Sequence, residues 1–102
     1  MRLNKALEEI SSIERIIKPY EYQVYEAEKA LNSLADLREA LSKMDKKTIE
    51  NAIEKISELE SQAEPYRGYE PVERALIHAR RLREELRKLL GDWKTFGVFA
   101  FS

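Results

Sequence analysis

Four kinds of residue in this 102-residue chain could do chemistry: one histidine, an arginine-rich run, five tyrosines and a late cluster of aromatics. His78 lies in the stretch ALIH. A carboxylate-bridged di-metal site in a helical bundle needs Glu-x-x-His on two helices and two further inward glutamates. Neither ALIH nor its counterpart ALNS (residues 30–33) supplies that pattern, so no metal is expected and His78 reads as a packed or solvated residue. With no cysteine, disulfides, thiolate metal sites and a cysteine nucleophile are all excluded. No glycine-rich phosphate loop, G-x-S-x-G or H-E-x-x-H occurs, and nothing singles out a catalytic pair among the 19 acidic residues. The expectation is a non-enzyme without catalytic residues, metal or cofactor.

The arginine run HARRLREELRK would offer Arg80, Arg81, Arg83, Arg87 and Lys88 to phosphates. From Arg74 to Lys94 seven basic and three acidic residues give +4, and from Lys47 to Glu73 three basic and seven acidic give −4. Opposite charges on neighbouring helices account for this more simply as surface ion pairs. Net charge is −1, which gives no general attraction to a polyanion. Nucleic acid is therefore the less favoured partner.

These residues need elements to position them. Apolar residues make up 43% and charged residues 36%, with three glycines and three prolines, a profile of helical proteins. The chain also repeats itself. Shifted by 46, residues 3–20 match 49–66 at seven of 18 positions, including Glu14/Glu60, Pro19/Pro65 and Tyr20/Tyr66. Shifted by 45, residues 27–44 match 72–89 at eight of 18, including Leu37/Leu82, Arg38/Arg83 and Leu41/Leu86. Chance supplies roughly one match in ten. The two units span 3–44 and 48–90.

Each unit reads as helix, turn, helix. Leu3, Ala6, Leu7, Ile10, Ile13, Ile16 and Ile17 step by threes and fours along one face. Lys18 precedes Pro19, where a helix should stop or kink. A second stripe runs from Val24 to Met44, a third from Ile49 to Ala63 behind a cap at Asp45, and a fourth from Val72 to Leu89, ending near Gly91. The turn EPYRGYEP is plain, and the repeat argues that KPYEYQ is another; a bent continuous helix is the alternative there. A lone hairpin cannot bury its stripe, whereas two back to back can. The expected fold is all-α: an up-down-up-down four-helix bundle of residues 1–91 built from two tandem hairpins, its second helix in each unit about 33 Å long. A short extended tail, 92–102, follows.

In that topology both Pro-Tyr turns share one end, gathering Tyr20, Tyr22, Tyr25, Tyr66 and Tyr69. They read either as rings packed over the end of the core with wet hydroxyls, or as an aromatic platform for a partner or a stacked base.

After Gly91 comes DWKTFGVFAFS, without counterpart in the repeat. Trp93, Phe96, Val98, Phe99 and Phe101 would fold back on the bundle or dock on another chain, and each buried aromatic contributes up to about 3 kcal/mol. WKTFGVFA also resembles the sliding-clamp interaction peptide of archaeal and eukaryotic replication and repair proteins. The resemblance implies Lys94-Thr95 as spacers, Phe96 as the hydrophobic plug and Phe99 as the first aromatic. Trp93 stands where that pattern has glutamine, and Ala100 where it has the second aromatic.

No window reaches the ~20 apolar residues of a membrane span, and MRLNKALEEISS lacks the apolar run of a secretory signal. The expected protein is cytoplasmic and interacts with protein, itself included, through its aromatic tail and apolar helix seam. A homo-oligomer is expected, with clamp binding and nucleic-acid association as the alternatives.

Overall fold

The apolar steps of three and four do form helices. The computed structural model describes the backbone of residues 3–43 and 45–101, and side chains among these as far as Gly91. It contains α1 (Leu3–Ile17), α2 (Tyr25–Leu41), α3 (Lys46–Ala63) and α4 (Glu70–Phe101), with no strand among the described residues. The protein is all-α. α1 touches α2 and α4, and α3 touches the same two helices, so the halves of the chain shield each other's apolar faces. No helix of the described residues is long and apolar enough to cross a membrane.

Both Pro-Tyr motifs break the chain in the same way. Lys18–Tyr20 and Glu64–Tyr66 each form one 3₁₀ turn with the proline in its first two positions, where a missing N–H costs nothing. Val24, extended at φ −132° and ψ 123°, then opens α2. In the second turn Arg67 is extended and Gly68 takes φ +105°, a region open to glycine because it has no Cβ. Residues 3–44 are thus not a single bent helix.

Asp45 caps α3 as expected, its carboxylate accepting the Thr48 N–H at 2.7 Å. That bond holds the Asp45 carboxyl below the usual carboxylate range. Glu73 is lowered too, first by accepting from Arg67, at 2.7 Å from Nε, and then by the Gly68 N–H at 3.2 Å. A depressed folded pKa contributes stability above the unfolded value, and that contribution is lost as pH falls through the folded one. Denaturation midpoints should therefore hold down to about pH 4 and fall below it. In Asp45→Asn/Glu73→Gln the acid limb should be flatter, as urea titrations at successive pH values would read.

Two expectations are corrected. α4 does not end near Gly91: it continues to Phe101, so residues 92–101 are helical and not an extended tail. Gly91 lacks the positive φ of a left-handed cap, and a Cβ there would meet nothing within 4 Å. With Asp, Trp, Lys and Thr following, no proline stops the helix. Gly91→Ala should thus raise stability by about 0.5–1 kcal/mol; at a left-handed cap it would lower the melting temperature instead. The second correction concerns length. α2 has 17 residues and α4 has 32, so only α4 outlasts its partners.

Among the described residues twelve form the buried core, three from each helix: Ala6, Ile10 and Ile13; Leu34, Leu37 and Leu41; Ile49, Ala52 and Ile56; Ala79, Leu82 and Leu86. The offsets that align the sequence also align this core. Ala6/Ala52, Ile10/Ile56, Leu37/Leu82 and Leu41/Leu86 are identical residues, both buried. The ion pairs follow the same rule, since Arg38 bonds Glu14 and Arg83 bonds Glu60.

Candidate functional site: an apolar cavity at the Pro-Tyr end

Burial is uneven along the helices. Toward the end opposite the Pro-Tyr turns, Ala6, Ile10, Leu41, Ile49 and Leu86 are sealed. Half-buried stripe residues flank the core at both ends, Leu3, Leu7, Ile53, Leu89 and Leu90 at that one and Val24, Ala27, Ala30, Leu59, Val72, Ala75 and Leu76 toward the Pro-Tyr turns. The two ends differ in side-chain volume. The stripes carry Val24, Ala27, Ala30, Ala63, Val72, Ala75 and Ala79 at the Pro-Tyr end, where the other end has mainly Ile and Leu. Small residues facing one another across a bundle cannot fill the space between helices at native packing density.

What remains is a cavity of about 430 Å³ reached by all four helices. Its wall is almost wholly apolar, with Ile17 from α1, Ala30 from α2, Leu59 from α3 and Ala75 from α4. Tyr20, Tyr66 and Tyr69 stand on it beside Glu26, Glu60 and Gln62. The size falls within the 300–1,000 Å³ of ordinary binding pockets, and an apolar wall with few polar groups is their usual composition.

Glu26 lies beside Tyr66, and its carboxylate as an acceptor for the hydroxyl, with a smaller contribution from burial, raises the Tyr66 pKa above its ordinary value. Glu60 is held by Arg83, whose Nε is buried without a partner. Neither arrangement resembles a catalytic acid–base pair.

The five tyrosines divide. Tyr20, Tyr66 and Tyr69 line the cavity, Tyr69 from its outer edge at 65% exposure, while Tyr22 and Tyr25 do not line it and are 91% and 71% exposed. The arginine run divides as well. Arg83 is committed to Glu60, and Lys88 lies 3.5 Å from Glu85. Arg80, Arg81 and Arg87 are exposed. Of the ion pairs expected between α3 and α4, Arg83–Glu60 is the one formed among the described residues; Arg74–Glu70 and Lys46–Glu50 lie within single helices. His78 faces Glu9 of α1, its Nδ1 at 3.1 and 3.2 Å from the two carboxylate oxygens. No cluster of metal-ligating side chains occurs among the described residues. The side chains of Trp93, Phe96, Val98, Phe99 and Phe101 lie outside the described residues.

Periodicity alone could not reveal the cavity, because an alanine counts as apolar like a leucine. The legible signal was the concentration of alanines at the Pro-Tyr end of three stripes. No family model matches the chain, and no curated protein or solved structure shows significant similarity to it.

Proposed function

We propose that the protein is a non-catalytic interaction module whose Pro-Tyr end receives an apolar segment of a protein. One observation carries this reading: a cavity of about 430 Å³, walled by apolar side chains of all four helices. An amphipathic helix laid into an apolar groove is a recurrent mode of recognition. The tyrosines suit the rim of such a site, since each presents an apolar ring and a hydroxyl that stays wet or bonded. Clamp binding by WKTFGVFA and phosphate binding by Arg80, Arg81 and Arg87 stand as weaker readings without a geometric observation of their own.

The test uses anilinonaphthalene sulfonate, a dye that fluoresces in apolar sites. The native protein should enhance its emission, and an amphipathic helical peptide should displace it. Ala30→Phe/Ala75→Phe, which fills the cavity from two helices, should remove the enhancement while keeping the helical circular dichroism. Equal enhancement by the filled variant would overturn the reading.

A further inference from the structure

We propose that the occupant of this cavity is the C-terminal end of α4 from a second copy of the chain, so that copies associate head to tail. The inference rests on the cavity being a receptor, and adds what it receives.

Geometry within one chain comes first. Pro71 and Val72, in the first turn of α4, line the cavity. α4 lines it as far as Leu82 and then runs away from it: Gly91 is nine residues beyond Leu82, about 14 Å along the axis, and the helix continues to Phe101. A continuous helix cannot bring its own end back to the cavity at its start. Donor and receptor thus lie at opposite ends of a molecule 53 Å long.

That end of α4 also outruns its neighbours. Glu50 and Ile53 of α3 lie beside Arg87 and Leu90 of α4, and Glu9 of α1 lies beside His78. In these antiparallel registers α3, starting at Lys46, reaches roughly to the level of residue 94. α1, described from Leu3, stops about three turns short of that. The last turns of α4 have neither helix alongside among the described residues.

The chemistry of the two ends matches. Residues 92–101 carry Trp93, Phe96, Val98, Phe99 and Phe101, with Asp92 and Lys94 cancelling in charge. An apolar, aromatic helix end of this kind suits an apolar cavity with a tyrosine rim, and Lys94 supplies a cation for the Glu26 carboxylate there. Two antiparallel copies that exchange both contacts close as a twofold dimer, whereas copies that make only one contact each way propagate as a ring or a filament.

The experiment mixes two full-length variants in sedimentation velocity. Ala30→Phe/Ala75→Phe blocks the receptor and keeps the donor, while Trp93→Ser/Phe96→Ser/Phe99→Ser does the reverse. The wild type should grow in mass with concentration, and each variant alone should stay at the 12.0 kDa of one chain. An equimolar mixture should form a complex of two chains and stop there. If the filled variant loses its helical spectrum, Ala27→Phe serves as the blocked receptor. Self-association by either variant alone, or no complex in the mixture, would overturn the proposal. A wild type that binds the dye but remains monomeric at high micromolar concentration overturns this inference and leaves the receptor reading standing. A wild type that binds no dye and remains monomeric overturns both.

Discussion

Leu86→Ala should lower stability by about 3–4 kcal/mol, whereas Leu76→Ala, ten residues earlier on the same helix, should cost about 1 kcal/mol. Both remove the same atoms from the same apolar stripe. Leu86 is fully buried in the sealed half of the core, so its loss leaves a void that close-packed neighbours cannot collapse into. Leu76 is half-buried on the wall of an existing cavity, so its truncation widens a space already there. For a domain of this size 3 kcal/mol shifts the melting temperature by at least about 12 °C, which a thermal melt resolves easily. Leu41→Ala, at the matching place in the first repeat and equally buried, should behave like Leu86→Ala. Equal losses at positions 76 and 86 would mean that the Pro-Tyr end is packed as tightly as the other.

Arg83→Met should cost about 2 kcal/mol, and most of that should return in Glu60→Met/Arg83→Met. Removing the guanidinium leaves the Glu60 carboxylate, about one-fifth exposed, on an apolar wall without its cation. Breaking one side of a desolvated pair is far more damaging than replacing both sides, because the remaining charge keeps its desolvation penalty. The double variant also relieves the buried, unpartnered Nε of Arg83. The counterpart pair, Arg38 with Glu14, is more exposed, at 40% and 29%, and Arg38 has Ser11 as a second acceptor at 3.2 Å. Solvent screens it more, and Arg38→Met should cost about half as much. Chemical denaturation of the three variants would check both the order and the recovery.

Why the two pairs differ bears on what could be read from residues alone. Glu14/Glu60 and Arg38/Arg83 stand at matched offsets in the sequence, as do Ile10 with Ile56 and Leu41 with Leu86, but residue pattern alone did not pair either arginine with its glutamate. Caps and turns were legible, because Asp45 before Thr48 and proline before tyrosine act through local chemistry. The end of α4 was not. Gly91 carries the usual mark of a helix terminus, yet a glycine ends a helix only where the backbone turns left-handed, and the residues after it are able to continue the helix. The cavity was hidden for a different reason. Hydrophobic pattern records which face is apolar but not whether facing volumes sum to a filled space, so Ala27, Ala30, Ala63 and Ala75 passed as core when they are the wall of a hollow. Which of the tyrosines stand on the cavity depends on the two 3₁₀ turns, whose geometry residue pattern does not record.

The Pro-Tyr end holds an apolar cavity that all four helices wall, beside a core of fully buried Ile and Leu. Methyl NMR of Trp93→Ser/Phe96→Ser/Phe99→Ser, which leaves the cavity free of a second copy, titrated with anilinonaphthalene sulfonate tests it most directly. Ile17, Val24, Leu59, Val72 and Leu76 should shift with the dye, while Ile10, Leu41, Ile49 and Leu86 should not move. Shifts spread evenly over both sets, or absent from the first, would contradict it.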